Sequence, residues 1–270
     1  MREQWSVFKL QVRRKMPKAM LVFFVVVVVG SLGYWLLGFR HNDAAEMQKF
    51  LEDIASGENT ADAVDNARSF SNGGSSLYIE ILCAIGFFGT VWACIDFPVK
   101  KFKPVYTVRR LRTSETGMFW WDVLINTVLF LVAWVCAIAL IFIAGRIYEA
   151  GAGFVEGPQG ITAAVVRNGF YRGIVPVVYP WLVLRNVIAA VCCGYLCAGA
   201  SYRLQNRSTP LIEGVLIAMM YIAIPLRIDV YNETAETVYR NLLWSWVWRV
   251  LLVALMIVFV LRDTRSRKEA

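Results

Sequence analysis

The chain has 270 residues, 58% of them hydrophobic and 18% charged, with a formal net charge of +8. Soluble domains run nearer half apolar and a quarter charged; here the apolar excess gathers in blocks long enough to cross a bilayer, which excludes an ordinary soluble globular domain. The basic residues flank those blocks and lack the repeated stacking aromatics of a nucleic-acid groove, so topology and anionic headgroups explain the charge without nucleic acid.

The chain opens with WSVFKLQVRRKMPK, in which Trp5, Phe8 and Val12 fall at helical spacing between Lys9, Arg13 and Arg14. This pattern predicts an amphipathic helix lying in the membrane interface, with Pro17 turning the chain into the bilayer. An ordinary basic flank that only orients the next span is the competing reading. The first span is predicted over 19–39; it ends in Tyr34-Trp35 rather than a small-residue cleavage site, so it reads as a retained span and not a signal peptide.

Residues 40–76 carry seven acidic residues against Arg40, Lys49 and Arg68. Met47, Phe50, Leu51 and Ile54 follow a helical spacing, and the segment is predicted as a small helical cap on the outer side. His41, the single histidine, lies at its edge. A second span is predicted over 77–97.

Residues 98–117 form a basic loop with Lys100, Lys101, Lys103, Arg109, Arg110 and Arg112. A basic segment between two spans belongs on the cytoplasmic side. Phe102, Val105, Tyr106 and Val108 alternate with its charges, as in a segment lying along a surface. Further spans are predicted over 118–144, 181–200, 211–226 and 242–261. A Gly-rich outer segment, 145–179, separates the third and fourth, with an interfacial helix proposed over Ile161 to Phe170. The fifth span is short, and 227–240 is either re-entrant or an outer loop. Both termini then fall in the cytoplasm, and eighteen of the 28 basic residues lie on that side. The predicted architecture is an all-α polytopic membrane protein: six transmembrane helices in one domain, preceded by the interfacial amphipathic helix.

Ionisable residues inside spans are costly and therefore candidate sites. Glu80, Arg185 and Arg249 fall at similar depth in the outer leaflet, where Glu80 is expected to pair with one of the arginines. A structural ion pair or simple snorkelling explains the same placement. Glu213 opens the fifth span and Asp122 the third, and for both the helix dipole favours an acid near the N-terminus. Ala190, Gly194 and Ala198, four apart, allow close helix approach, either within the bundle or in a dimer.

Cys83, Cys94, Cys136, Cys192, Cys193 and Cys197 all lie in apolar runs and read as packing residues, not as a metal site or a disulfide framework. No G-x-x-x-x-G-K-[ST], H-E-x-x-H or G-x-S-x-G motif occurs. The chain is therefore not expected to be an enzyme by itself, or to hold a cofactor.

The amphipathic start WSVFKLQVRRKM, a first span followed by an outer segment, the basic loop after the second span and the basic tail together resemble a permease of the ABC-2 type exporter family. Within the loop, TVRRLRTSETGMFWWDVLIN is similar to the family's short amphipathic helix before the third span, with Leu111-Arg112 in place of the usual Leu-Pro step. The resemblance covers nearly the whole chain as organisation rather than as a sharp motif. It implies a dimer of permeases, homo- or heteromeric, in a bacterial plasma membrane, bound to a separate ATP-binding cassette ATPase that carries ATP and Mg. The loop around Lys100 to Arg112 is then the coupling element. The alternative is a non-transporting membrane scaffold or regulatory protein that uses the same loop to hold lipid or a cytoplasmic partner.

Overall fold

The computed structural model describes residues 2–37, 74–96, 115–152, 168–175, 181–205 and 209–223. All regular structure among them is helical. Helix α1 runs unbroken through Arg2–Phe24, a π-helical turn Val25–Val29 and Gly30–Leu36. The others are α2 (Gly74–Cys94), α3 (Glu115–Ala152), α4 (Gly169–Ile174), α5 (Trp181–Gln205) and α6 (Leu211–Ala223).

Four helices are long and apolar enough to cross a membrane: Phe8–Leu36, Ser76–Cys94, Gly117–Tyr148 and Val183–Leu204. Their solvation is inverted relative to a water-soluble protein. Leu21, Phe24, Leu36, Leu124, Val135 and Leu184 face outward, whereas Lys15, Asp122, Asn126, Asn186 and Glu213 are buried. Bulky apolar side chains outside and polar ones inside are what a hydrocarbon solvent selects. The chain is a helical membrane protein. Of the six predicted spans, the sixth (242–261) lies outside the described residues. The fifth appears in part as α6, Leu211–Ala223; residues 224–226 lie outside the described residues.

The expected interfacial helix is not separate. Pro17 sits inside α1 rather than at a turn, and Phe8 and Val12 pack against the bundle's buried core. The hydrophobic stripe that suggested an interfacial helix is thus the foot of the first membrane helix. Proline removes one backbone donor and crowds the preceding turn, but membrane helices tolerate it where neighbours hold both sides. Here Phe8 stacks on Trp121 with ring centroids 5.3 Å apart, and Lys18 Nζ lies 5.3 Å from the Trp92 ring centre.

Small residues set the α1–α2 contact. A Cβ on Gly86 would lie 3.3 Å from Val26, and one on Gly89 would lie 2.7 Å from Val22. Further along, Gly30 receives Leu82 and Gly33 receives the Tyr78 hydroxyl. Val22, Val26 and Gly30 are spaced by four, which drifts around an ideal helix of 3.6 residues per turn. The wider π turn at Val25–Val29 keeps this stripe facing α2.

Helix α3 is the longest element, 38 residues or about 57 Å. It extends past the predicted span end at 144, so that residues 145–152 are helix and not outer loop. Its main partner is α5. At their crossing a Cβ on Gly194 would lie 2.8 Å from the Thr127 backbone nitrogen and would also strike the Thr127 hydroxyl. The stripe Ala190, Gly194, Ala198, with Ala190 and Ala198 buried, thus packs within the bundle.

Candidate functional site

Polar groups inside the bundle collect at two levels. The first is at the end where α1 begins and α5 finishes. Lys15 and Asp122 form an ion pair, and Lys15 Nζ also donates to Asn126 Oδ1 at 2.7 Å. Lys15 and Asn126 are fully buried. Asn126 Nδ2 in turn donates to the Gly194 carbonyl at 3.4 Å, which ties α1, α3 and α5 together. Asp122 lies two turns inside α3, so its role is to neutralise Lys15 rather than to meet the dipole of the helix start as its sequence position suggested.

Arg14, the neighbour of Lys15, has its Nε 3.3 Å from Asp96 Oδ1 just beyond the end of α2. The Asp96 backbone N–H, past the reach of the α2 ladder, donates to Ser201 Oγ at 3.0 Å, and Ser201 donates to the Cys197 carbonyl at 2.9 Å. At the same end Arg203 Nε reaches Glu213 Oε1 at 2.7 Å, joining α5 to α6. Glu213 stands in the first turn of α6, as predicted from the dipole, and it also has this cation. Three ion pairs therefore bind the ends of five helices.

The second level surrounds α4. This short helix starts on Asn168, whose side-chain oxygen accepts from the Phe170 and Tyr171 backbone N–H groups at 2.8 and 3.2 Å. Of the interfacial helix expected over Ile161 to Phe170, the described part is Asn168 as N-cap and a helix that begins at Gly169; residues 161–167 lie outside the described residues. Arg185 Nη2 and Asn186 Nδ2 donate to the Gly173 carbonyl at 2.7 and 3.1 Å, and Trp134 Nε1 donates to the Ile174 carbonyl at 2.7 Å. A helix end inside a membrane bundle has carbonyls without intrahelical donors, and non-helical backbone survives there only when protein satisfies it. Arg185, read from sequence as one of two candidate partners for Glu80, donates here to the Gly173 carbonyl. Glu80 lies on α2 with its backbone carbonyl 3.4 Å from the Tyr221 hydroxyl. Arg249 lies outside the described residues, as do Lys100, Lys101, Lys103, Arg109, Arg110 and Arg112 of the basic loop and residues 40–73 of the outer cap predicted over 40–76, whose last three residues instead begin α2.

Between the two levels lies a cavity of about 90 Å³, lined by residues from all six helices. All six cysteines are free thiols, and no cluster of three or more His, Cys, Asp or Glu with metal-binding geometry occurs among the described residues.

Lys15, Asn126 and Asn186 escaped the sequence reading. Lys15 looked like one more member of a basic flank. Asn126 and Asn186 carried a usable signal, an amide within an otherwise apolar run. Comparison with family models, curated proteins and solved structures finds no match to this chain.

Proposed function

We propose that the chain is the membrane-spanning permease subunit of an ATP-binding cassette exporter. In this reading it works as a homo- or heterodimer in a bacterial plasma membrane, with both termini in the cytoplasm. It receives energy through the basic loop 98–117 from a separate ATPase that holds ATP and Mg. The observation that carries the reading is the attachment of that loop's two sides. Asp96 before it and Asp122 after it are bound by Arg14 and Lys15, consecutive residues of α1. A force applied to the loop by a partner reaches the first membrane helix through two short ionic links, which is what an energy-receiving surface needs. The chain contains no P-loop signature of its own, so the energy source in this reading is a partner.

The test is affinity purification of the tagged full chain in mild detergent, followed by an ATPase assay of the eluate. Co-purification of a P-loop ATPase supports the proposal, and its absence counts against it. Charge reversal at Arg109, Arg110 and Arg112 is expected to leave the topology intact and to uncouple ATP hydrolysis from export. Transport that survives the reversal reduces the loop to a topological anchor.

A further inference from the structure

The cavity between the two polar levels has walls of two kinds. Phe87, Phe130, Trp134, Phe170 and Tyr221 supply aromatic surface; Gly86, Ala133, Ala137, Ala189 and Ala190 supply a wall too short to fill the space opposite. Three lining residues carry strong hydrogen-bonding groups, and each is already engaged within the protein. Asn186 accepts from Arg185 Nη2 at 2.9 Å through its oxygen and donates to the Gly173 carbonyl through its nitrogen. Trp134 Nε1 is held by the Ile174 carbonyl, and the Tyr221 hydroxyl points to the Glu80 carbonyl. Cys83 and Cys193 complete the polar lining, and thiols behave as small apolar groups.

Among the described lining residues, a polar guest entering this space would give up water and find at most the second Asn186 N–H and the Tyr221 hydroxyl oxygen in exchange, and a charged one would fare worse. The volume also limits the guest. About 90 Å³ is smaller than an engineered cavity of about 150 Å³ that holds benzene.

We infer that this cavity binds a neutral hydrocarbon group, the apolar arm of a larger molecule, through contact and aromatic surface alone. Resting on the permease reading, the inference assigns the exported substrate to amphiphiles with a short uncharged alkyl arm, and excludes a cationic group from this position.

The experiment is photolabelling of the purified full chain with a short alkyl diazirine, compared with the same diazirine carrying a terminal ammonium, and peptide mapping by mass spectrometry. The neutral probe is expected to label the α2 and α3 segments around Phe87 and Phe130, with cyclopropane in excess reducing that labelling about five-fold. The ammonium probe is expected to leave these segments unlabelled. Ala133→Phe, which fills the space from the small wall, is expected to abolish the inner labelling and keep that of outward-facing Leu124. Ala137→Leu serves the same purpose should the larger side chain disrupt folding. Neutral labelling confined to outward-facing residues overturns the inference, as does equal inner labelling by the ammonium probe. Neither result depends on an ATPase, so the cavity's failure and the permease reading's failure remain separable.

Discussion

Lys15 of α1 and Asp122 of α3 are 107 positions apart in the chain and form an ion pair in which the lysine is wholly buried from solvent. Removing one member of a buried pair leaves the other charge uncompensated, at a cost of about 3–5 kcal/mol, whereas replacing both by apolar residues is often close to neutral. Lys15→Met is therefore expected to lower stability by about that amount. Lys15→Met with Asp122→Leu should recover most of the loss, and the remainder should reflect Asn126, deprived of the donor to its oxygen. Unfolding of the three variants in mixed detergent measures this coupling. A double variant no better than the single one removes the charge pair as the cause.

The α1–α2 contact gives a more local expectation. A Cβ on Gly33 would collide with the Tyr78 hydroxyl, while the ring carbon behind it lies at 3.5 Å, an ordinary contact. Gly33→Ala should then destabilise the bundle by about 1–3 kcal/mol, and Tyr78→Phe should relieve most of it. The relief is incomplete because the hydroxyl also donates to the Gly30 carbonyl at 3.0 Å. Melting temperatures of the two single variants and the double variant give the answer. Additive losses would show that the hydroxyl is not what Gly33 accommodates.

Gly194 and Gly214 form a contrasting pair. At Gly194 the obstacle is the backbone of Thr127, which no rotamer change can move, while at Gly214 a Cβ meets nothing within 4 Å. Gly194→Ala is expected to cost about 1–3 kcal/mol by forcing α3 and α5 apart. Gly214→Ala should stabilise α6 by up to about 1 kcal/mol through helix propensity. Thermal unfolding of both in one detergent decides it, and equal effects would mean that α3 and α5 do not cross at Gly194.

These sites mark what a sequence can and cannot carry. Length and hydropathy suffice for α2 and the body of α3, because a bilayer imposes a minimum run of apolar residues on any crossing helix. The same signal misplaced the first helix, because Pro17 reads as a break in a lone helix but lies inside a continuous one here, with Phe8 packed on Trp121 and Lys18 over Trp92. Asp122 was legible as an acid near a helix start, but its partner Lys15 was hidden among Arg13, Arg14 and Lys18; only folding selects which of four neighbouring cations turns inward. The stripe Ala190, Gly194, Ala198 was visible, and its packing partner was not. The pairs Gly30 and Gly33, and Gly86 and Gly89, were equally visible at a spacing of three and are the stronger signal for the α1–α2 contact. The cavity has no sequence signature, since its walls come from all six helices.

The last expectation concerns Arg203 and Glu213, where the two members of the pair differ in exposure. The Glu213 side chain is buried, with Oε1 on Arg203 and Oε2 without a hydrogen-bond partner among the described residues, whereas the Arg203 side chain is a third exposed. Losing Arg203 leaves a buried carboxylate with no cation among the described residues, while neutralising Glu213 leaves an arginine that reaches solvent. Arg203→Ala is thus expected to destabilise by about 1–3 kcal/mol, below the full cost of breaking a deeply buried pair because water reaches the site. Glu213→Gln should cost less, since the amide keeps an oxygen for Arg203 and removes the buried charge. Arg203→Ala combined with Glu213→Gln should lie closer to the Gln variant than to the Ala variant. Unfolding midpoints at fixed pH and ionic strength test the order, and a Gln variant weaker than the Ala variant would show that Glu213 contributes chiefly through something other than Arg203.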